Sequence, residues 1–253
     1  MDIAGEIAVV TGGGSGLGAG TAHALRRAGA RVAVLDLDPA RAGSVAAELD
    51  GIAVACDVAD EASARQALDG VVARLGVPRI LVNCAGIGPS ARIVGRDGPH
   101  DLALFRKVID VNLVGTFNMM RLAAARMQDL PPLADGERGV VVMTASVAAF
   151  EGQVGQAAYA ASKGAVAALT LPAAREFARA GIRVVTIAPG TFDTPMLATV
   201  SQEIRDSLAR QVPFPSRLGR PEEFGALVKS ICETPMLNGE TIRLDGALRM
   251  APK

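Results

Sequence analysis

The fold is decided by the stretch Thr11-Gly12-Gly13-Gly14-Ser15-Gly16-Leu17-Gly18. An apolar run at 7–10 precedes it, and a helical pattern begins at Leu17. Glycines in such a turn let backbone N–H groups approach an anion at a helix start, where the helix dipole favours negative charge. The stretch therefore predicts a pyrophosphate site. On the glycines alone, a flexible turn without a ligand or a methyltransferase of similar fold stays open.

An acidic residue at the end of the next strand pattern narrows the choice of ligand. Asp36 follows Gly16 by 20 residues, where a carboxylate accepts the ribose hydroxyls of an adenine dinucleotide. Because Leu37 rather than an arginine comes next, a 2′-phosphate would meet negative charge without a basic partner. The pattern predicts NAD rather than NADP as the cofactor.

Short apolar runs alternate with helical patterns along nearly the whole chain. The runs are rich in β-branched residues, which is typical of strands buried on both faces of a parallel sheet. Strands are predicted at 7–10, 32–35, 52–55, 80–82, 140–143, 184–187 and 241–244, and helices at 17–28, 39–49, 61–75, 102–127, 157–180 and 221–232. This order predicts one α/β domain over 1–253, a doubly wound Rossmann-type fold with a seven-stranded, mainly parallel sheet and helices on both faces.

Composition argues against several classes of partner. The formal net charge is zero and no basic run stands out, which disfavours nucleic acid and membrane surfaces. No apolar stretch approaches the ~20 residues of a membrane span. Three separated cysteines without a CxxC pattern argue against a disulfide framework or a metal site and fit a reducing compartment. With no targeting segment recognisable at the N-terminus, we expect a cytoplasmic protein.

The single tyrosine, Tyr159, stands four residues before Lys163. Residues at this spacing share one face of a helix. At ~4 Å and an effective dielectric constant of ~20, the ammonium would lower the pKa of the phenol, ordinarily ~10, by about three units. The pair is therefore a candidate general acid/base.

The two histidines, His23 and His100, belong to no metal or hydrolase motif.

These motifs, in this order and across essentially the whole chain, resemble the short-chain dehydrogenase/reductase family. The family's TGxxxGxG element is matched from Thr11 to Gly18, its NAG element at 83–86 and its YxxxK element at Tyr159 and Lys163. The resemblance implies four catalytic residues: Asn112, Ser146, Tyr159 and Lys163. It implies a dinucleotide site made of Gly12, Ser15, Gly16, Leu17, Gly18, Asp36, Asp57, Val58, Asn83, Ala85, Gly86, Tyr159, Lys163, Pro189, Gly190 and Thr194.

The resemblance also implies roles for these groups in hydride transfer between a secondary alcohol and the cofactor. Tyr159 would exchange the hydroxyl proton, and Lys163 would lower its pKa and bind the nicotinamide ribose. Ser146 would hold the substrate oxygen. Asn112 would position a water that links Lys163 to solvent. Ser146, Tyr159 and Gln153 are the expected substrate contacts.

Within the family, residues 145–159 and 244–253 are similar to the type 2 3-hydroxyacyl-CoA dehydrogenases, also called type 10 17β-hydroxysteroid dehydrogenases. This similarity implies 3-hydroxyacyl-CoA as the substrate, with hydroxysteroids as a further option. Two substrate loops are expected at about 86–98 and 190–220. Four arginines there are candidates for the CoA phosphates: Arg92, Arg96, Arg205 and Arg210.

Two other functions remain open at the level of the sequence. One is an NADPH-dependent reductase of 3-oxoacyl thioesters, against which Asp36 argues. The other is a dinucleotide-binding protein without catalytic activity, against which the complete catalytic set argues. Family members generally form homotetramers through two long helices, here 102–127 and 157–180, so a homotetramer is expected.

Overall fold

The computed structural model describes residues 1–96, 98–197 and 200–252. In this part of the chain seven strands form one sheet in the order β3-β2-β1-β4-β7-β8-β9, and every neighbouring pair is parallel. The strands are β1 Ile7–Thr11, β2 Arg31–Asp36, β3 Ile52–Ala55, β4 Ile80–Asn83, β7 Gly139–Thr144, β8 Ile182–Pro189 and β9 Thr241–Leu244. The predicted single α/β domain with a seven-stranded parallel sheet is confirmed.

Helices cover both faces of the sheet. They are α1 Gly16–Arg27, α2 Pro39–Glu48, α3 Glu61–Arg74, α4 Leu102–Ile109, α5 Gly115–Met127, α6 Ala157–Phe177, α7 Gln202–Arg210 and α8 Pro221–Glu233. One buried cluster joins the sheet to α3, α5 and α6, and a second joins its other face to α1, α2 and α8. Because the strand order reverses between β1 and β4, a crevice opens at the carboxyl ends of these strands.

The predicted helix at 102–127 is not continuous. After α4, a π-helical turn occupies Asp110–Val114 before α5 resumes the α-helical pattern. A π turn adds a residue to the hydrogen-bonded ring, and such turns are common at functional sites. The predicted helix at 157–180 ends as α6 at Phe177 and continues only as one 3₁₀ turn at Ala178–Ala180.

The two predicted substrate loops contain structure of their own. In the first, β5 Val94–Gly95 and β6 Gly98–Pro99 form a small antiparallel hairpin that the apolar pattern did not predict. The second contains a 3₁₀ turn at Pro195–Leu197 and then α7. Residue 97 of the first loop and residues 198 and 199 of the second lie outside the described residues. No helix among the described residues is long and apolar enough to cross a membrane.

Candidate active site

The predicted cofactor residues lie at the carboxyl edge of the sheet. Gly12 follows β1, Asp36 ends β2, Asn83 ends β4, and Pro189 ends β8. Carboxyl ends of parallel strands meet at one edge, so residues that are far apart in sequence border the same crevice. Asp57 and Val58 follow β3 at this edge; Asp57 is exposed and Val58 is buried.

The glycine turn after β1 has no room for larger residues. A Cβ on Gly18 would lie 2.1 Å from the Gly12 carbonyl oxygen, and one on Gly12 would lie 2.8 Å from the Ala85 backbone. Gly12 and Gly16 also have φ values of 60° and 50°, which side-chain-bearing residues rarely adopt. The Thr11 hydroxyl accepts a hydrogen bond of 3.2 Å from the Ala85 N–H. The turn is thus a tight backbone cradle of the kind that fits a pyrophosphate.

Asp36 is held beside this cradle. Its two carboxylate oxygens accept hydrogen bonds of 3.0 Å from the Gly14 and Asp38 N–H groups. The side chain is 9% exposed, so its charge faces the crevice edge with little screening by solvent. A carboxylate fixed in this way fits a ribose with two free hydroxyls.

The segment after β8 closes the crevice from the other side. The Thr194 Cβ lies 3.3 Å from the position that a Cβ on Gly16 would take. At the start of the segment, a Cβ on Gly190 would lie 2.9 Å from the Asp245 backbone. Gly16, which belongs to the predicted pyrophosphate turn, and Thr194, another predicted cofactor residue, are therefore neighbours in the folded chain.

Tyr159 and Lys163 share one face of the first turns of α6. The Lys163 Nζ lies 5.8 Å from the centre of the Tyr159 ring. Lys163 is 4% exposed, and its ammonium donates a hydrogen bond of 2.7 Å to the Thr144 carbonyl at the end of β7. The predicted pairing of the two side chains is present, with Thr144 as an additional partner.

The pKa values of this pair differ from the sequence-based expectation. Burial raises the pKa of the Tyr159 phenol, and a hydrogen bond with the Ser146 hydroxyl only partly offsets the rise. Burial lowers the pKa of the Lys163 ammonium to about 8. The expectation that Lys163 brings the phenol's pKa towards neutrality is therefore wrong, because the surroundings of Tyr159 in the folded chain raise that pKa. Removal from water has the largest effect on the phenol's pKa, because it disfavours the phenolate.

Ser146 is placed by the short 3₁₀ turn Val147–Ala149 that follows β7. Its hydroxyl accepts a hydrogen bond of 3.1 Å from the Ala148 N–H and caps this turn. Ser146 is 7% exposed. The hydroxyl is thus fixed by the backbone beside the phenol.

Asn112 lies in the π turn and is fully buried. Its side-chain oxygen accepts from the Ile87 N–H at 2.8 Å, and its amide donates to the Ile87 carbonyl at 2.9 Å and to the Ser162 hydroxyl at 3.0 Å. Ser162 in turn donates to the Tyr159 carbonyl at 2.7 Å. The side chain therefore ties the first substrate loop to α6.

Two glycines of the first substrate loop line the space around the catalytic pair. A Cβ on Gly86 would lie 3.5 Å from the Lys163 Nζ. A Cβ on Gly88 would lie 3.4 Å from the Tyr159 ring and 3.3 Å from the Met196 sulfur. The first loop and the segment after β8 thus meet over the phenol.

Several partners in the site escaped the sequence patterns. Ile87 and Thr144 act through backbone groups, which no side-chain motif reveals, and π turns have no recognised sequence signature. Ser162 and Gly88 could have been suspected only from their places beside Lys163 and after the NAG element. Among the described residues no cluster of three potential metal-ligating side chains is present.

Two of the remaining predicted substrate contacts have partners within the chain. The Gln153 amide donates a hydrogen bond of 2.8 Å to the Ala251 carbonyl near the C-terminus. Arg205 forms an ion pair of 2.6 Å with Asp193, while Arg92, Arg96 and Arg210 are exposed.

A family model described as "short chain dehydrogenase" matches residues 6–205. The chain belongs to the short-chain dehydrogenase family. A relative within it, the human protein named 3-hydroxyacyl-CoA dehydrogenase type-2, is 49% identical over 255 residues that cover 99% of this chain and 97% of the relative. As a member of this dinucleotide-binding family, the chain is an oxidoreductase.

Two solved structures of the family share the fold. The 3-hydroxyacyl-CoA dehydrogenase type-2 from Mycobacterium avium superposes with a TM-score of 0.92 at 43% identity, covering 98% of each chain. The 3-ketoacyl-(acyl-carrier-protein) reductase from Brucella melitensis, complexed with NADH, gives a TM-score of 0.88 at 30% identity and covers 98% of this chain and all (100%) of the neighbour. The Rossmann-type architecture is therefore common to all three proteins.

Proposed function

We propose that this short-chain dehydrogenase uses NAD to interconvert 3-hydroxyacyl-CoA and 3-oxoacyl-CoA. The observation that carries the proposal is the position of Tyr159, Lys163 and Ser146 beside a backbone cradle that fits a dinucleotide. The substrate follows from the relatives, because the human protein at 49% identity is named 3-hydroxyacyl-CoA dehydrogenase type-2. In this proposal, residues 1–253 form one catalytic domain, and 86–98 and 190–220 are its substrate loops.

Three side chains would act around the reacting carbon, each with a different role. When bound, the nicotinamide ring would accept hydride from the alcohol carbon on oxidation and return it on reduction. Ser146 would donate a hydrogen bond to the substrate oxygen, where negative charge develops. Tyr159 would take up the hydroxyl proton on oxidation and return it on reduction. Lys163 would bind the nicotinamide ribose.

We infer that Asn112 acts through position. Its side chain joins Ile87 to Ser162 and, through Ser162, to the turn that carries Tyr159. The water that the family resemblance assigns to Asn112 would approach from the Lys163 side, where Gly86 leaves space beside both side chains.

The choice of NAD over NADP rests on Asp36. Its charge lies next to the cradle and would repel a 2′-phosphate. The Asp36→Asn variant tests this, because an asparagine oxygen can still accept from the Gly14 N–H while the negative charge is removed. We expect kcat/KM with NAD to fall and kcat/KM with NADP to rise. An unchanged ratio of the two values would contradict the assignment.

The CoA moiety would need cations near the mouth of the site. Arg92 precedes the hairpin of the first loop, Arg96 lies between its two strands, Arg210 ends α7, and all three are exposed. Arg205 is the weakest candidate of the original four, because Asp193 already neutralises it. Rising salt should raise KM for an acyl-CoA and leave KM for a neutral hydroxysteroid nearly unchanged. Equal salt dependence for the two substrates would exclude phosphate recognition by these arginines.

A panel of alcohols separates the proposed substrate from the alternatives. The panel comprises 3-hydroxyacyl-CoA esters of several chain lengths, a branched 2-methyl-3-hydroxyacyl-CoA, hydroxysteroids and a 3-hydroxyacyl thioester on a carrier protein, each with NAD and with NADP. The reductase alternative predicts the carrier thioester with NADP as the best pair. A non-catalytic protein would bind NADH and oxidise none of them.

We propose a homotetramer that assembles through the long helices. Exposed apolar side chains on these segments support the proposal: Val114 at the end of the π turn, Phe117 in α5 and Leu171 in α6. Light scattering at several concentrations would give the mass of the assembly.

The free cysteines, Cys56, Cys84 and Cys232, fit the reducing environment of the cytoplasm, which we propose as the compartment.

A further inference from the structure

A cluster of two carboxylates and two guanidinium groups lies beside the predicted substrate residue Gln153. Arg243 of β9 donates two hydrogen bonds to the Glu151 carboxylate, at 2.8 and 3.2 Å, and one to Asp245 at 2.7 Å. Arg249 lies 3.3 Å from both Glu151 and Asp245. The Glu151 and Arg243 side chains are only 20% and 23% exposed. Water and salt therefore screen the attraction between their charges less than they would in a fully exposed pair.

This cluster joins two segments that are distant in sequence. One is the loop at residues 150–155, between the turn that holds Ser146 and the helix that carries Tyr159. The other is the C-terminal tail at residues 248–252. Three hydrogen bonds join them directly: Met250 N–H to Glu151 Oε2 at 3.0 Å, Gln153 Nε2 to the Ala251 carbonyl at 2.8 Å, and Val154 N–H to the Pro252 carbonyl at 3.1 Å.

The opposite side of loop 150–155 is attached to the first substrate loop. The Gly155 carbonyl accepts from the Ala91 N–H at 2.9 Å. Gly155 has a φ of 91°, and a Cβ there would lie 2.6 Å from the Ser90 hydroxyl. The loop is therefore held between the tail on one side and the segment 86–98 on the other.

A shift of loop 150–155 would also reach the catalytic helix. A Cβ on Gly152 would lie 2.9 Å from the Cβ of Ala160, which follows Tyr159 in the first turn of α6. Arg243 adds a second anchor at the start of the loop, because its guanidinium lies 5.7 Å from the centre of the Phe150 ring. Since Arg243 belongs to β9, the cluster connects the loop to the edge of the seven-stranded sheet.

We propose that Glu151 and Arg243 are positioning residues that hold loop 150–155 against tail 248–252 and thereby set the affinity for the alcohol substrate. The inference rests on the proposed alcohol oxidation. Most of the predicted dinucleotide site belongs to other segments, at 11–18, 36, 57–58, 83–86 and 189–194, so loosening the loop changes substrate binding more than cofactor binding.

The Glu151→Gln variant tests the inference because it retains the size of the side chain and removes its charge. We expect KM for 3-hydroxyacyl-CoA to rise about tenfold, the loss of one charge-assisted contact, with smaller changes in kcat and in the Kd for NADH. Glu233→Gln is the matched control, since Glu233 forms an exposed ion pair with Lys229 on α8. The control should match wild type in every constant.

Deleting residues 250–253 should also raise KM, and adding Glu151→Gln to the deletion should raise it by less than the sum of the two separate effects, because both changes remove the contact between Met250 and Glu151. Full additivity of the two effects would overturn the proposal. An equal rise in the Kd for NADH would also overturn it, since it would indicate a general loss of structure.

Hydrogen exchange separates a failure of this inference from a failure of the proposed function. In Glu151→Gln the amides of Met250 and Val154 should exchange faster than in wild type, and those of Val9 and Val10 in β1 should not change. This readout requires no turnover. Unchanged exchange at both tail and loop would overturn the positioning role even if 3-hydroxyacyl-CoA is the substrate. A different outcome is faster exchange in the variant together with no oxidation of 3-hydroxyacyl-CoA by the wild-type protein. The contact would then be confirmed and the proposed substrate would be wrong. The KM test would be repeated with the alcohol that the protein does oxidise.

Discussion

The Lys163 ammonium donates a hydrogen bond of 2.7 Å to the Thr144 carbonyl at the end of β7. This bond anchors α6 to the sheet, but it does not compensate for burial, which lowers the pKa of Lys163 to about 8. The phenol of Tyr159 titrates at higher pH, because burial raises its pKa above the ordinary value of 10.0. Lys163 therefore loses its proton before Tyr159 does, and as a neutral amine it cannot lower the phenol's pKa.

The titration of Tyr159 can be observed directly because the chain has one tyrosine and no tryptophan. We expect the tyrosinate absorbance of the protein alone to appear with a midpoint above ~10, since desolvation disfavours the anion. Rapid pH jumps would record it before alkaline unfolding. Lys163→Met should leave this midpoint nearly unchanged, and a large upward shift in that variant would contradict the order of titration given above. Bound NAD, whose oxidised ring carries positive charge, should lower the midpoint.

Tyr159→Phe should abolish most of the activity without loss of cofactor. Removing a general acid/base costs at least about 10²-fold in kcat, whereas the ring and its neighbours stay in place. Activity assays and an NADH fluorescence titration would measure the two effects. Near-native turnover with NADH bound would show that another group exchanges the proton.

Lys163 should make stability depend on pH in a specific window. Below about 8 both folded and unfolded chains hold the proton, and the folded state bears the cost of a buried charge. Between about 8 and 10.5 the folded lysine is neutral and the unfolded one is charged, so unfolding takes up a proton and becomes harder as pH rises.

Urea unfolding of wild type and Lys163→Met at several pH values measures this effect, because other titrating groups cancel in the difference. We expect the wild-type free energy of unfolding to rise relative to the variant from pH 8 to pH 10. A constant difference would indicate that Lys163 keeps its ordinary pKa.

Gly18→Ala should disrupt the cradle. Its Cβ would lie 2.1 Å from the Gly12 carbonyl oxygen, so the turn must open, at a cost of about 1–3 kcal/mol in unfolding free energy. NADH binding should be lost.

Gly43→Ala is the control, since Gly43 lies in α2 with nothing within 4 Å of the new Cβ. It should stabilise the helix by about 0.5–1 kcal/mol and leave the Kd for NADH unchanged. Equal NADH binding by the two variants would contradict the cradle's role.

Asn112→Ala should loosen the first substrate loop. The change removes the buried contacts to Ile87 and Ser162, at a cost of about 2 kcal/mol or more. Because the loop borders Tyr159, we expect KM for the substrate to rise and kcat to fall. Hydrogen exchange at Ile87 would check the structural cause, and slow exchange there in the variant would contradict it.

The strands were predictable because buried parallel strands have a clear apolar pattern. The predicted strands at 52–55 and 241–244 match β3 and β9. The helix at 102–127 was predicted without its π turn, because the step from α to π geometry at Asp110 is set by contacts of Asn112 with another segment. The hairpin at 94–99 also escaped prediction, since strands of two residues are too short to show a period.

The sequence by itself determined the sheet, the glycine turn and the spacing of Tyr159 and Lys163, because these depend on local pattern and helical geometry. Tertiary structure alone decided the protonation equilibria, since desolvation depends on everything packed around a group. It also decided which segments meet, bringing Met196 and Gly88 over the phenol and the C-terminal tail against Gln153. Such contacts join residues far apart in the chain, and no local sequence pattern records them.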